Sequence, residues 1–267
     1  MGNFFPRWTN WLPLKLAVAA GFVVFGVSLA VPYYFTPKYT RVGYQPSQPV
    51  PFSHQIHAGQ LGLDCRYCHS FVEASGHANV PTNQTCINCH GPGKGNIKSN
   101  SPKLAKVIAA AETGKPIEWV KIHKAPDYVY FNHSAHLNRG ISCQSCHGRI
   151  DQMEVVHHAE PQSMGWCLDC HRNPEKNLRP LEQVTNLKYD PAQLDRSAFY
   201  QNLLGKGIAP AEIAQSIDPS RSAANLADLV SLAEGRYGKQ VTQLEVGTQL
   251  KKHWQVQPPE NCTACHR

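Results

Sequence analysis

From Leu16 to Phe35 the chain reads LAVAAGFVVFGVSLAVPYYF, with no charged side chain across the run. About 20 such residues suffice to cross a hydrocarbon core of roughly 30 Å. The pattern therefore predicts one transmembrane helix over 16–35 behind a short cytoplasmic segment, 1–15. Trp8 and Trp11 before the run, and Tyr33 and Tyr34 at its far end, suit the two membrane interfaces, and Arg7 and Lys15 lie on the amino side. Ser28-Leu29-Ala30 offers a competing reading, a signal peptide cut at a small-x-small site; the length of the run favours an uncleaved anchor. Lys38 and Arg41 blur the charge asymmetry, so orientation rests on chemistry.

Beyond the anchor the apolar positions are sparse and short in period. Residues 36–51, rich in Pro, Gln and Gly, predict an extended stalk. The linker 91–130 is rich in Gly, Pro and Lys, with one helix-like piece from Lys103 to Glu112. Segment 172–256 has no cysteine, and its spacing of Ala and Leu predicts two amphipathic helices, Ser222–Ala233 and Val241–Trp254. This arm either braces the last cysteine motif or offers a docking surface.

The rest of the chain repeats. FSHQIHAGQLGLDCRYCH, ending at His69, and FNHSAHLNRGISCQSCH, ending at His147, each open F-x-H-x-x-H and each lead to a second cysteine motif, at Cys86 and Cys167. Two modules, 52–90 and 131–171, follow, with an attachment segment at 257–267. All ten cysteines fall in C-x-x-C-H pentads: Cys65/Cys68/His69, Cys86/Cys89/His90, Cys143/Cys146/His147, Cys167/Cys170/His171 and Cys262/Cys265/His266. Two thiols at this spacing add across the vinyl groups of one haem, and the adjacent His binds the iron as proximal ligand. Structural zinc, a redox dithiol or disulfide staples would explain a lone C-x-x-C, but they do not require His after every second cysteine. The expected cofactors are five covalently bound haem c, with the ten cysteines as anchors and His69, His90, His147, His171 and His266 as proximal ligands. Attachment requires reduced thiols on the outer side of the cytoplasmic membrane, placing this domain in the periplasm.

The H-x-x-H pairs suit the opposite faces of the irons. On a helix, residues three apart share a face and diverge slightly, so two imidazoles reach two neighbouring haems. His54, His57, His133 and His136 are thus distal-ligand candidates for four irons. For the fifth, His77, His123 and Met164 are the favoured candidates, with His158, His253 and Met153 behind them, and sequence does not choose among them. A Met ligand would raise the potential of that haem.

Composition changes one inference. The formal net charge of +7 would suggest a polyanion partner, but five haems bring about ten propionates, leaving the holoprotein near −3, and no Lys or Arg run is long enough for a nucleic-acid groove. About 230 residues outside the membrane are too few for an ordinary core around each of five haems. The expected fold is mostly α with much irregular structure, wrapped on the porphyrins. With two protein ligands on every iron no position is open to substrate, which points to outer-sphere electron transfer. No P-loop, nucleotide fingerprint or nucleophile motif is present.

The words GYQPSQPVPFSHQIHAGQLGLDCRYCH, NVPTNQTCINCH, PDYVYFNHSAH and SMGWCLDCHRNPE resemble the pentahaem cytochrome subunit of bacterial alternative complex III, over roughly residues 1–175 and the last pentad. That resemblance implies a non-catalytic electron-transfer subunit of a quinol:electron-acceptor oxidoreductase. Its implied partners are integral membrane quinol-binding subunits, an iron–sulfur subunit resembling a molybdopterin oxidoreductase, and a monohaem cytochrome c subunit or soluble carrier. The alternative is a membrane-anchored multihaem quinol dehydrogenase feeding a periplasmic reductase. It wants its first haem near the membrane, whereas the first pentad here follows a Pro-rich stalk.

Overall fold

The structure, a computed structural model, describes residues 6–35 and 41–266. Among these residues the chain is helical and irregular, with no strand; sheet-type pairing is confined to the isolated bridges Val129–His266 and Ile141–Leu178. Helix α1 (Leu12–Phe35) follows a 3-10 turn at Arg7–Trp11. It starts four residues before the predicted anchor because Pro13 fits a first helical turn, where its missing N–H has no acceptor anyway. Its ~1.5 Å rise per residue makes α1 roughly 36 Å long. It is the one described helix long and apolar enough to cross a membrane, and it buries none of that apolar window. Part of the predicted stalk, residues 36–40, lies outside the described residues. From Gly43 onwards the stalk is extended but pinned: Gly43 N–H donates to His158 O (2.8 Å), His158 N–H to Tyr44 O (3.0 Å), and Gln48 exchanges two hydrogen bonds with the Val120 backbone.

The two modules are built alike. In the first, a π turn at Gln55–Gln60 precedes α2 (Cys65–Cys68) and α3 (Asn83–His90). The linker holds α4 (Ala105–Thr113), entered through a 3-10 turn at Pro102–Leu104 and stopped by left-handed Gly114, close to the helix expected there. In the second module α5 (His133–Leu137), α6 (Cys143–His147) and α7 (Met164–Arg172) repeat the order. The first H-x-x-H therefore departs from the expected α-helix: its turn closes one residue wider, Leu61 N–H donating to Ile56 O. Gly59 shows why. A Cβ there would overlap the Asp151 carbonyl, so this turn is shaped by its seat on residues 150–152.

The cysteine-free arm has more structure than its pattern predicted. Helices α8 (Arg196–Gly205) and α9 (Pro210–Ile217) precede α10 (Leu226–Tyr237) and α11 (Gln243–His253), the two that were expected; α12 (Cys262–Cys265) carries the last pentad. Helices α8 and α9 escape a periodicity reading because each is under three turns long; Asp195 caps α8 through the Ala198 N–H, and Pro210 starts α9. Tyr200, Leu203, Ile213, Ala214, Ile217, Leu229 and Ala233 form the arm's own core. A second cluster, Leu178, Val241, Val246, Leu250 and Val256, fastens α11 to the chain just after α7.

Gly247 of α11 lies directly on the Glu175 carbonyl, with no room for a Cβ. Gly247→Ala should lower stability by about 1–3 kcal/mol through overpacking against backbone, although Ala is the better helix former. Gly235→Ala, with open space around it on α10, should instead gain up to ~1 kcal/mol. Thermal unfolding of the two variants followed by circular dichroism checks the opposite signs.

Candidate haem-attachment and axial-ligand sites

Each C-x-x-C spans one helical turn, which turns both thiols to one side. Asp64, Ser142 and Ser163 cap three of these helices by accepting from the N–H of Arg66, Gln144 and Trp166. None of the ten cysteines is paired in a disulfide; Cys262 is exposed and the other nine are partly buried. Burial, with Cys170 and Cys167 nearby, pushes the Cys146 thiol up to about 12.

Three of the histidines that follow are fixed through Nδ1 by a backbone carbonyl. His69 Nδ1 lies 2.6 Å from Asn79 O, His90 Nδ1 2.6 Å from Ile97 O and His171 Nδ1 2.7 Å from Pro259 O. A carbonyl only accepts, so each ring carries its proton on Nδ1 and leaves Nε2 with a free lone pair, the form a metal requires. The second histidines of the two H-x-x-H pairs behave alike. His57 Nδ1 donates to Ser53 O (2.8 Å) and His136 Nδ1 to Asn132 O (2.7 Å), both four residues back. His133 Nδ1 lies 3.0 Å from Gly76 O and 3.3 Å from Ala78 N, leaving its Nε2 uninvolved. His54 is the exception: its Nδ1 is buried without a partner, and burial, with His69 and His57 beside it, holds its pKa down to about 4.

Distances test whether iron fits between these rings. With metal–nitrogen bonds of about 2 Å and ring centres about 1.1 Å further back, two imidazoles across an iron have centroids about 6.2 Å apart. His57 and His90 are 6.2 Å apart, and His136 and His171 are 6.1 Å apart. In both modules, then, the second H-x-x-H histidine stands at an iron-spanning distance from the second pentad's histidine. His69 is in turn an electrostatic neighbour of His54, and His133 is one of four histidines, with His123, His69 and His158, around His147.

The Phe that opens each repeat has a role that spacing alone did not reveal. Phe52 stacks on His57 (4.4 Å, 23°) and meets His54 edge-on (4.9 Å, 87°). Phe131 does the same to His136 (4.5 Å, 29°) and His133 (4.8 Å, 88°). One rigid ring thereby sets the angle between two imidazoles. The carbonyls of Asn79, Ile97 and Pro259 were also missed, because a backbone acceptor has no residue identity to read.

The candidates for the fifth site are scattered. His77 is exposed, between the two residues whose backbone holds His133, and Met164 is 66% exposed at the first position of α7. His253 is occupied within the arm by Gln249 and Glu212, and Met153 is buried. His123 lies against His147, with centroids 4.4 Å apart at 87°, too close for an iron between them, and His158 stacks on its other face at 5.0 Å. The ring described against His266 is that of Tyr128, stacked at 5.8 Å.

The attachment sites adjoin one another in a definite order. Cys68 lies beside Cys86 and Cys89, and Cys65 is within hydrogen-bond reach of Cys143. Cys146 lies beside Cys170 and Cys167, and Cys167 beside Cys265. Hydrogen bonds lock the same neighbours: His133 to Gly76 and Thr185 to Asp64 across the modules, His171 to Pro259 and Arg172 to Glu260 towards the last pentad. Spatially the pentads run second, first, third, fourth, fifth.

Residues 129–189 match the family described as cytochrome c7 and related cytochrome c. Over 104 residues, 39% of this chain, the sequence is 34% identical to the multihaem cytochrome c subunit of menaquinone reductase from Nitratidesulfovibrio vulgaris. Over 188 residues, 55% of the chain, it is 27% identical to cytochrome c-552 from Desulfotalea psychrophila. The chain spans less than half the length of either relative, 47% and 37%. Residues 129–189 are thus a cytochrome c7-like domain, of a family whose members carry covalently bound haem c.

Proposed function

We propose that this chain is the electron-transfer subunit of a membrane quinol:electron-acceptor oxidoreductase resembling alternative complex III, holding five haem c on the periplasmic side behind an uncleaved α1 anchor. It takes electrons from an iron–sulfur, molybdopterin-oxidoreductase-like subunit and passes them to a monohaem cytochrome c subunit or soluble carrier, while integral membrane partners bind the quinol. The observation that carries this reading is the iron-sized spacing between paired histidines. Bound haem supplies reversible one-electron transfer, and an iron held on both sides by imidazole offers no position to a substrate.

The protein's own groups supply the rest. The cysteines tether, the Nδ1–H donors keep each Nε2 available, and Phe52 and Phe131 hold the ring angles. The unbroken order of attachment sites gives a path with two ends, at the second and fifth pentads. The arm supports the latter end, because Pro259, which holds His171, follows directly on the chain leaving α11.

A second reading follows from the printed name of the Nitratidesulfovibrio relative: the same path run in reverse, delivering electrons to a membrane quinone. One experiment addresses both. The complex is extracted from native membranes in mild detergent, separated by native electrophoresis with haem staining, and identified by mass spectrometry. A band containing polytopic quinol-binding subunits and a large iron–sulfur subunit, reducing a cytochrome c with quinol, is the expected result. Faster quinone reduction from a reduced carrier establishes the reverse direction. Migration alone or with a single periplasmic reductase overturns both.

A further inference from the structure

His147 differs from His69, His90 and His171 in what its Nδ1 meets. Those of His69, His90 and His171 each face a backbone carbonyl, whereas His147 Nδ1 faces a side chain, His123 Nε2, at 3.4 Å with the rings at 87°. His123 is itself stacked on His158 at 5.0 Å and 28°. His158 is buried and held by the Gly43 and Tyr44 backbone, so the two rings back onto a fixed strap of chain.

We propose that His123 is not an axial ligand but the hydrogen-bond acceptor for the Nδ1–H of His147, a positioning residue that lowers the reduction potential of the third attachment site. This rests on the reading of His147 as an iron ligand. The geometry separates the two roles for His123. An imidazole opposite His147 across an iron would have its centroid about 6.2 Å away, and His123 is at 4.4 Å, on the Nδ1 side. A ring nitrogen is a more basic acceptor than an amide oxygen, so it draws the Nδ1 proton and makes the ligand more electron-donating, which stabilises the ferric form. At 3.4 Å the bond is long, and its effect is correspondingly moderate. His158 contributes by fixing the plane of His123, since stacking leaves its Nε2 directed at His147.

Two substitutions distinguish hydrogen bonding from packing. His123→Phe keeps a ring to stack on His158 but removes the acceptor, whereas His123→Gln loses the ring and keeps an oxygen that accepts. Spectroelectrochemical titration of the holoprotein, with electron paramagnetic resonance of the oxidised form, should show the same spin states in both variants as in the unsubstituted protein. In His123→Phe one redox component should move upward by three- to tenfold in its reduction equilibrium constant, about 30–60 mV at 59 mV per tenfold for one electron. The same component in His123→Gln should move upward by less, because an amide oxygen still accepts but is less basic than a ring nitrogen. A new high-spin signal in either variant, absent from the unsubstituted protein, would make His123 an axial ligand and overturn the proposal, as would an unchanged titration in His123→Phe or a larger shift in His123→Gln. His147→Ala is the control for the parent reading: loss of one low-spin haem supports it, and an unchanged spectrum removes both readings.

Discussion

His136→Ala should convert one ferric haem from low to high spin, giving an axial signal in electron paramagnetic resonance that added imidazole abolishes. The expectation follows from the 6.1 Å separation of His136 and His171, an iron's width between two imidazoles, and from the hydrogen bond of His136 Nδ1 to Asn132 O. Removing one imidazole leaves the iron five-coordinate, which changes spin state and raises the potential. His57→Ala should do the same at the second pentad, where the separation from His90 is 6.2 Å. The two variants should differ in transport. His57 serves the pentad at one end of the spatial order, so its loss perturbs exchange with one partner. His136 serves an interior site, and its loss should slow transfer from end to end. Stopped-flow reduction at one end with a chemically distinct acceptor at the other separates the cases. A ferric spectrum unchanged in either variant would strike that residue from the ligand set.

Glu245→Ala should destabilise the arm by about 3–5 kcal/mol, the usual result of removing one partner from a buried ion pair. Glu245 is fully buried on α11 and receives a bidentate pair from buried Arg196 on α8, at 2.8 Å to each oxygen, with the Tyr200 hydroxyl donating at 3.0 Å. Arg196 spends its remaining donors on the Lys239 and Gln240 carbonyls. Alanine would leave the buried guanidinium with only the half-exposed Glu234 carboxylate, 3.8 Å away, and would leave the Tyr200 hydroxyl without its acceptor. Because α11 leads into the last pentad, weakening should reach the fifth site too. Denaturant unfolding, followed by far-ultraviolet circular dichroism and by the Soret band, measures both. A loss below ~1 kcal/mol would mean that the apolar clusters of the arm carry its stability without the ion pair.

Several structural features were readable directly from residue identity. A C-x-x-C-H pentad is local chemistry, complete within five positions, so the attachment sites and the histidines beside them needed no tertiary information. The F-x-H-x-x-H repeat was equally visible, since its histidines share one face of a single turn; the iron-sized spacing of His57 from His90 and of His136 from His171 follows its order. The apolar stretch of α1 depends only on composition and length. Helices α10 and α11 were visible in outline, while α8 and α9 were too short to show a period.

Contacts between distant segments were not legible. The order second, first, third, fourth, fifth depends on pairs such as His133 with Gly76 and His171 with Pro259, in which one partner is a backbone carbonyl that every residue possesses. The same reason hid the acceptors that set each imidazole tautomer. His123 shows the limit most plainly: as a residue type it suits an iron ligand, and only its position behind His147, on the Nδ1 side, makes it an acceptor. The sequence by itself determined which residues are candidates for attachment and axial ligation, because both depend on side chains at short spacing. Which site adjoins which, and what each histidine's second nitrogen meets, was decided only by the tertiary structure, because those interactions join segments far apart in the chain.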